Sequence, residues 1–172
     1  TYKRMGFDLS EEKQKKLTKI KREQLSKEIK KEAFQYSFSS ISVDIINKIG
    51  IRCATHLAAK KLMKRNLKAV KNQKLFVLID AFYVKYVRGI GLANQKAIIH
   101  GDEISISIAA ASIIAKVKRD KIMKKLHKNY PVYNWEKNKG YGTADHRKAI
   151  KENGISNLHR KMFVRKTLKN IV

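Results

Sequence analysis

The stretch Leu75-Phe76-Val77-Leu78-Ile79-Asp80 decides the fold class of this 172-residue chain, because it joins a short, continuous apolar run to a terminal carboxylate. Such a run is typical of a strand covered on both faces, as strands of α/β proteins usually are. A second strand is predicted over residues 96–99, just before Gly101-Asp102. Helical patterns alternate with these strands, which predicts an α/β fold. The length suits a single domain over residues 1–172.

Apolar side chains at helical spacing predict helices around the two strands. Residues 10–33 read as a charged surface helix, and residues 43–66 as a helix broken near Gly50. The second helix has a predicted buried stripe made of Ala54, Leu57, Ala58 and Leu62. Between these two helices, alternating apolar residues predict a further strand. Its members are Phe34, Tyr36, Phe38 and Ile41.

A long helix is predicted from about Ser105 to Lys128. Its first half is apolar on most sides, so we expect it to be buried against the sheet. Its second half is amphipathic, with inward residues Ile122, Met123 and Leu126. A loop over residues 129–142 leads to a helix that Thr143 caps and Gly154 ends. The C-terminal segment, residues 156–172, is predicted to be helical and basic.

The formal net charge is +26, from 40 Lys and Arg against 14 Asp and Glu. A field of this sign attracts polyanions, and with nucleic acid it adds affinity that falls with salt. The alternative is compositional: a lysine-rich sequence is also what an AT-rich genome gives to any protein. Hydrophobic residues make up 43% of the chain, which argues against a disordered tail although 31% of the residues are charged.

The single cysteine, Cys53, excludes an intrachain disulfide and predicts a reducing, cytoplasmic location. Within its helical pattern Cys53 is expected to be a small buried residue. No apolar run approaches the length of a membrane span. We therefore expect no membrane partner, and nothing in the sequence indicates an obligate oligomer, so a monomer is expected.

Asp80 and Asp102 stand out because each follows a predicted strand. Ligands of open α/β sheets gather at the carboxyl ends of the strands. Two carboxylates that converge there are costly unless a cation lies between them. Mg²⁺ or Mn²⁺, bound by oxygen, would satisfy both and also contact phosphate. The alternative is that Asp80 caps a turn and Asp102 starts the following helix, which are common roles for aspartate.

Several segments together resemble ribonuclease HII in their order and spacing. They are Gly101-Asp102, the run Ser107-Ile108-Ala109-Ala110-Ala111-Ser112-Ile113-Ile114-Ala115-Lys116-Val117-Lys118-Arg119-Asp120, the turn Lys139-Gly140-Tyr141-Gly142-Thr143 with His146, Gly154, and His159-Arg160. Leu78-Ile79-Asp80 is similar to the acidic strand end of that family. The resemblance covers roughly residues 13–165.

The resemblance implies a ribonuclease H-like fold, with a mixed β-sheet flanked by helices. It also implies endonucleolytic cleavage of the RNA strand of RNA–DNA hybrids, and of DNA on the 5′ side of an embedded ribonucleotide. The products would be a 3′-hydroxyl and a 5′-phosphate, and two Mn²⁺ or Mg²⁺ ions would take part. Of the family's four carboxylates, Asp80 and Asp102 match two.

The other two carboxylates belong to an Asp-Glu-x-Gly-Arg-Gly motif on the family's first strand, and this sequence does not contain that motif. We therefore expect a natural protein that is longer, with the N-terminal strands missing from this chain, and a chain that is inactive as it stands. A further departure is Ala81, where the family usually has glycine.

The resemblance also implies nucleic-acid contacts. Tyr141 resembles a tyrosine that stacks on the sugar at the RNA–DNA junction. Matching positions suggest phosphate contacts for Lys139, Lys116, Arg119 and Lys15. For each of these residues a structural or solvated role is the alternative. Trp135 could be either a core anchor or a stacking platform, and for Asp120 a salt bridge with Arg119 is favoured over catalysis.

Two further hypotheses compete with an active nuclease. One is a catalytically inactive relative that binds hybrid or duplex nucleic acid through its basic surface. The other is a basic binding module of a different class, such as a ribosome-associated protein.

Overall fold

A computed structural model describes residues 17–70 and 75–169 of the chain. Contacts divide the chain into two compact units. The first comprises Thr1–Ser39 and Ala58–Val117, and the second Ser40–Leu57 and Lys118–Val172. The single domain expected over residues 1–172 stays a prediction.

The first unit contains a small parallel sheet. Strand β1 (Val77–Asp80) pairs with strand β2 (Gln95–Ile98) in a register that sets Val77 opposite Gln95 and Asp80 opposite Ile98. Within residues 17–70 and 75–169 these are the only strands. Both lie close to their predicted positions, and the alternation of helices with a parallel sheet confirms the α/β class.

The first strand is covered on one face only, so the prediction of two covered faces is wrong. Val77 and Ile79 pack against a cluster of buried residues from the preceding helix and the following loop. That cluster is Met63, Val84, Val87 and Ile90. On the opposite face Phe76 is 57% exposed and Leu78 37% exposed. Successive side chains of a strand point to opposite faces, and this core covers just one of them.

Helix α1 (Lys19–Glu32) begins at Thr18, whose Oγ1 accepts a hydrogen bond from the backbone N–H of Lys21 (3.3 Å). Its buried Leu25 and Ile29 pack against Ile113 and Ile114. The helix is thus a surface helix with one buried stripe, as predicted, although residues 10–16 lie outside the described part.

Helix α2 (Val43–Ala69) breaks at Gly50, where φ is 78° and ψ 160°, as the sequence predicted. Ala54 is buried, but Leu57, Ala58 and Leu62 are only half-buried. Cys53 is exposed, so its predicted burial is wrong. The reason is rotational: Ala54 takes the inward position, and one residue along a helix turns the side chain by about 100°.

The strand predicted over Phe34 to Ile41 is not formed, since residues 35–42 have no regular secondary structure. The alternation that suggested it nevertheless has a physical basis. Phe38 packs on the Leu25 and Ile29 cluster, whereas Phe34 is 89% exposed. Tyr36 contacts Phe38 edge-on, with ring centroids 6.0 Å apart. Alternate burial therefore arises here without a hydrogen-bonded neighbouring strand.

A four-residue helix, α3 (Gly101–Ile104), precedes the long helix α4 (Ile106–Asn129). In the first half of α4, Ile108, Ala109, Ile113, Ile114 and Val117 are buried, but Ser107, Ala111 and Ser112 are exposed. The helix is therefore buried on one side rather than on most sides. In the second half Met123 is buried, whereas Ile122 is 39% exposed and not inward as predicted.

The second unit is organised around an aromatic core with Met123, Tyr133, Trp135, Ala149, Ile150 and Val164. Met123 belongs to α4, and the other contributing helices are α5 (Trp135–Asn138), α6 (Ala144–Asn153) and α7 (Lys161–Lys169). Thr143 caps α6, with Oγ1 accepting from the N–H of His146 (3.3 Å), and Gly154 ends it with φ 73°. Both boundaries were predicted. Over the described ranges no helix combines the length and apolarity that a membrane crossing requires.

Candidate functional site

Asp80, the last residue of β1, is held by the backbone that follows β2. The N–H of Gly101 donates to Asp80 Oδ1 over 2.9 Å. One residue further, the N–H of Ala81 donates to the carbonyl of Ile98 (2.9 Å), which extends the pairing of the two strands. The Asp80 side chain is thus fixed at the carboxyl end of the sheet while the residue stays exposed.

The chain turns sharply directly after Asp80. Ala81 has φ 66°, in the left-handed region where a side chain costs roughly 1 kcal/mol and glycine costs nothing. Glycine, which the resembled family usually has at this position, would adopt this φ without that cost, and this chain has alanine instead.

Asp102 lies in the first turn of α3, which His100 introduces with a left-handed φ of 53°. The residue before it, Gly101, is buried and closely surrounded. A Cβ at Gly101 would lie 2.6 Å from Ile108 Cδ1 and 3.4 Å from Asp80 Oδ1. The absence of a side chain at Gly101 is what lets the start of α3 approach Asp80.

The structure thus brings Asp80 against the residue that precedes Asp102, at neighbouring ends of two parallel strands. A carboxylate that accepts one N–H retains other lone pairs, and exposed or half-exposed oxygens suit a hard divalent ion. The same N–H contact is the turn-capping role that was the alternative for Asp80. Within residues 17–70 and 75–169, no group of three or more His, Cys, Asp or Glu side chains is placed to hold a metal. The two aspartates fit part of an oxygen ligand set.

The Lys139-to-Thr143 turn lies in the second unit and presents Tyr141, which is 56% exposed. Lys139 and Gly140 both have positive φ, 53° and 78°. The guanidinium of Arg119 donates to the carbonyl of Lys139 (3.0 Å), and Lys139 Nζ donates to the carbonyl of Glu136. Arg119 and Lys139, both predicted to contact phosphate, thus each use at least one donor in a hydrogen bond to the backbone at or next to this turn.

The other candidate residues are placed as follows. Lys116 is half-buried on α4, and Lys15 lies outside the described residues. Asp120 is 8% exposed, and its Oδ1 has no hydrogen-bond partner among the residues described, so the favoured salt bridge with Arg119 is not seen there. Trp135 is 3% exposed, which makes it a core anchor.

Sequence reasoning missed the buried Gln95, and it named His146 beside the Lys139-to-Thr143 turn without giving it a role. Gln95, 5% exposed, bonds both the N–H and the carbonyl of Val84 at 2.9 Å and thereby closes the loop between the strands. His146, 4% exposed, accepts from Trp135 Nε1 (3.1 Å). The sequence offered one signal for each buried residue. Gln95 is a polar residue at the start of a predicted strand region, and His146 follows the helix cap Thr143 by three residues.

The sequence of the chain is similar to proteins of one family. The family model described as Ribonuclease HII matches residues 3–171. A ribonuclease HII of Caldanaerobacter subterraneus subsp. tengcongensis is 44% identical over 155 residues, 90% of this chain and 61% of that protein. For that of Desulfitobacterium hafniense the values are 45%, 149 residues, 87% and 54%. That of Fusobacterium nucleatum is 46% identical over 155 residues, 90% of this chain and 70% of that protein.

The chain thus spans little more than half the length of the first two relatives, 61% and 54%. Its α/β architecture, mostly helical with a small parallel sheet, is that of the ribonuclease H-like class. Within this class the chain belongs to the ribonuclease HII family.

Proposed function

We propose that Asp80 and Asp102 serve endonucleolytic cleavage of the RNA strand of RNA–DNA hybrids and of ribonucleotides embedded in duplex DNA, a reaction for which these two carboxylates need further metal ligands. Water would add to phosphorus on the 5′ side of the ribonucleotide and the bond from phosphorus to the upstream O3′ would break, leaving a 3′-hydroxyl and a 5′-phosphate. The observation that carries the proposal is the contact of Asp80, at the end of β1, with Gly101, the residue directly before Asp102. Membership of the family supports the reaction class.

Asp80 and Asp102 would hold the divalent ions, Mn²⁺ or Mg²⁺, with further ligands needed to complete the set. When bound, such ions neutralise charge on the phosphodiester and make water more acidic. The contribution of the chain is to keep the two carboxylates in place. The Gly101 N–H restricts Asp80, and the short turn of α3 carries Asp102.

Tyr141 would stack on the nucleotide at the junction, and its exposure supports that role. Lys139, Lys116, Arg119 and Lys15 would contact phosphate, within a chain of net charge +26. We further propose that residues 1–172 form one domain that works as a cytoplasmic monomer.

The test is cleavage of an end-labelled DNA duplex with one embedded ribonucleotide, in Mn²⁺ or Mg²⁺. Asp80→Asn and Asp102→Asn should each lower the cleavage rate by about 100-fold or more, as the loss of a charge-stabilising group in an active site does. Asp44→Asn is the matched control, because Asp44 is an exposed acid on α2 and its loss changes the net charge equally. Cleavage that survives both site substitutions would discard the metal roles.

A second candidate function is binding of nucleic acid without cleavage. It is favoured by the net charge of +26, which attracts a polyanion whether or not a metal ion is bound. The same assay, run beside a binding measurement, distinguishes the two. Binding of the duplex without cleavage, with an affinity that falls steeply with salt, favours the binder.

A further inference from the structure

Two histidines, His146 and His159, face each other inside the second unit. They are 4% and 5% exposed, and their Nε2 atoms lie 3.3 Å apart. The rings of Tyr133 and Trp135 enclose them: Tyr133 meets His159 edge-on at 4.6 Å between centroids, and Trp135 lies 5.3 Å from it. In such a site each of the four imidazole nitrogens needs a defined role, either as a donor that carries a proton or as an acceptor that does not.

The partners determine those protons. His146 Nδ1 lies 2.8 Å from the carbonyl of Tyr141, and since a carbonyl only accepts, Nδ1 carries a proton. Nε2 of a neutral His146 then accepts, as the indole N–H of Trp135 at 3.1 Å requires.

The same reasoning fixes His159. Its Nδ1 accepts from the backbone N–H of Ser156 at 2.9 Å, and the Ser156 hydroxyl oxygen is at the same distance. The His159 proton therefore lies on Nε2 and is directed at His146 Nε2. When both rings are neutral no two donors oppose each other, and the single lone pair of His146 Nε2 is shared by the N–H groups of Trp135 and His159. A proton added to His146 Nε2 would oppose two donors at once, and one added to His159 Nδ1 would oppose the Ser156 N–H.

The pKa of His159 changes in the direction that keeps the ring neutral. Burial lowers it first, and repulsion from His146 lowers it further. The other groups that face the pair are Tyr133, Trp135 and Ser156, and the cation Arg160 follows His159 directly.

The network ends on the backbone of Tyr141. The Tyr141 carbonyl accepts from His146 Nδ1 and from the N–H of Thr143 (2.9 Å), which occupies both lone pairs. On the other side, the Tyr141 N–H donates to the carbonyl of Asn138 (2.9 Å). The buried end of this turn is thus bound from two directions, while its tyrosine side chain is 56% exposed.

We propose that His146 is a positioning residue for Tyr141: its Nδ1–H holds the carbonyl of the turn, and so fixes the direction in which the tyrosine is presented to a nucleotide. This inference rests on the proposed function for the stacking step alone. The hydrogen-bond network itself can be tested without nucleic acid.

Two substitutions at His146 each keep one of the two imidazole hydrogen bonds and remove the other. Asn at position 146 can set an amide N–H where Nδ1 lies, so it keeps the bond to Tyr141 and loses the acceptor for Trp135. Gln at the same position reaches the place of Nε2, so it keeps an acceptor and loses the bond to Tyr141. Both variants remove the imidazole ring and one of its hydrogen bonds, but only His146→Gln loses the bond that holds the Tyr141 carbonyl.

The first readout is amide hydrogen exchange of the full chain at neutral pH. His146→Gln should speed exchange at Tyr141 and Thr143 by about tenfold or more, equivalent to losing one hydrogen bond of about 1.4 kcal/mol. His146→Asn should leave both amides within about threefold of the parent. His159→Gln, which keeps its Nε2–H but has no Nδ1, should also leave them slow. The emission of Trp135, the only tryptophan, and exchange in α1 report whether each variant is folded.

The second readout is affinity for a ribonucleotide-containing duplex. Tyr141→Ala and His146→Gln should both weaken binding by about tenfold, the value of one stacked base, and His146→Asn should not. Slow exchange at Tyr141 in a folded His146→Gln, or equal acceleration by Asn and Gln, overturns the positioning role. If His146→Gln accelerates exchange but Tyr141→Ala binds like the parent, the positioning role stands and the stacking step of the proposed function is refuted.

Discussion

Gln95 offers the sharpest test of how the loop between β1 and β2 is held in place. Its amide bonds the N–H and the carbonyl of Val84 at 2.9 Å each, and Nε2 also lies 3.4 Å from the Gly91 carbonyl and 3.5 Å from that of Ile90. Val84 is 0% exposed, so water cannot replace these bonds. In Gln95→Leu, two buried backbone groups would lose their partners at about 1–3 kcal/mol each. We therefore expect a loss of about 2–5 kcal/mol, which for a chain of this size lowers the melting temperature by roughly 5–15 °C.

Urea denaturation followed by circular dichroism measures this loss, and hydrogen exchange at Val84 localises it. The matched control is Gln24→Leu, an equal change at an exposed position of α1, which should alter the free energy of unfolding by less than about 0.5 kcal/mol. Gln95→Glu keeps the acceptor for the Val84 N–H but cannot donate, and it should not restore stability. A Gln95→Leu chain as stable as the control would show that the loop closes without this amide.

Three further outcomes are expected. First, burial and His146 lower the pKa of His159, so below about pH 6.5 the unfolded chain takes up a proton that the folded chain resists. As the pH is lowered through this range, the free energy of unfolding should therefore decrease by at most about 1.4 kcal/mol per pH unit. Denaturation curves at several pH values measure this slope, and His159→Gln should flatten it. Second, Gly101→Ala should cost roughly 0.5–1.5 kcal/mol, because its Cβ would lie 2.6 Å from Ile108 Cδ1 and that side-chain end would have to turn aside. Ile108→Val removes that atom, so the double variant should cost less than the sum of the single ones, and additive costs would contradict the clash. Third, Ala81→Gly should stabilise the chain by roughly 0.5–1 kcal/mol, because φ is 66° there, and a destabilised variant in the same denaturation assay would refute the strain.

The sequence located most of the helices and both strands, since these depend on local periodicity. It failed where burial depends on distant partners. The apolar run of β1 gave no sign that Phe76 and Leu78 would be exposed, because a continuous run fits one covered face as well as two. The Phe34-to-Ile41 alternation predicted a strand, yet the period-2 signal records alternate burial and says nothing about a hydrogen-bonded neighbour.

Asp80 and Asp102 could be selected from sequence because a strand end is a position that chain order itself reveals. The contact of Asp80 with Gly101, the residue before Asp102, could not be deduced in the same way, since it depends on the parallel pairing of β1 with β2. This pairing is a long-range fact. The requirement for glycine at this point becomes clear only when Ile108 is seen to occupy the space.

Net charge and local structure make separate contributions at the Tyr141 turn. A charge of +26 brings a polyanion to any part of the surface and specifies no orientation. Arg119 and Lys139, which the sequence suggested for phosphate, each use a donor on a backbone carbonyl, Arg119 on that of Lys139 and Lys139 on that of Glu136. From the buried side, the imidazole of His146 holds the carbonyl of Tyr141. Orientation of a bound nucleotide would therefore depend on a small number of uncharged hydrogen bonds, while the lysine-rich surface sets how strongly and how fast the nucleic acid arrives.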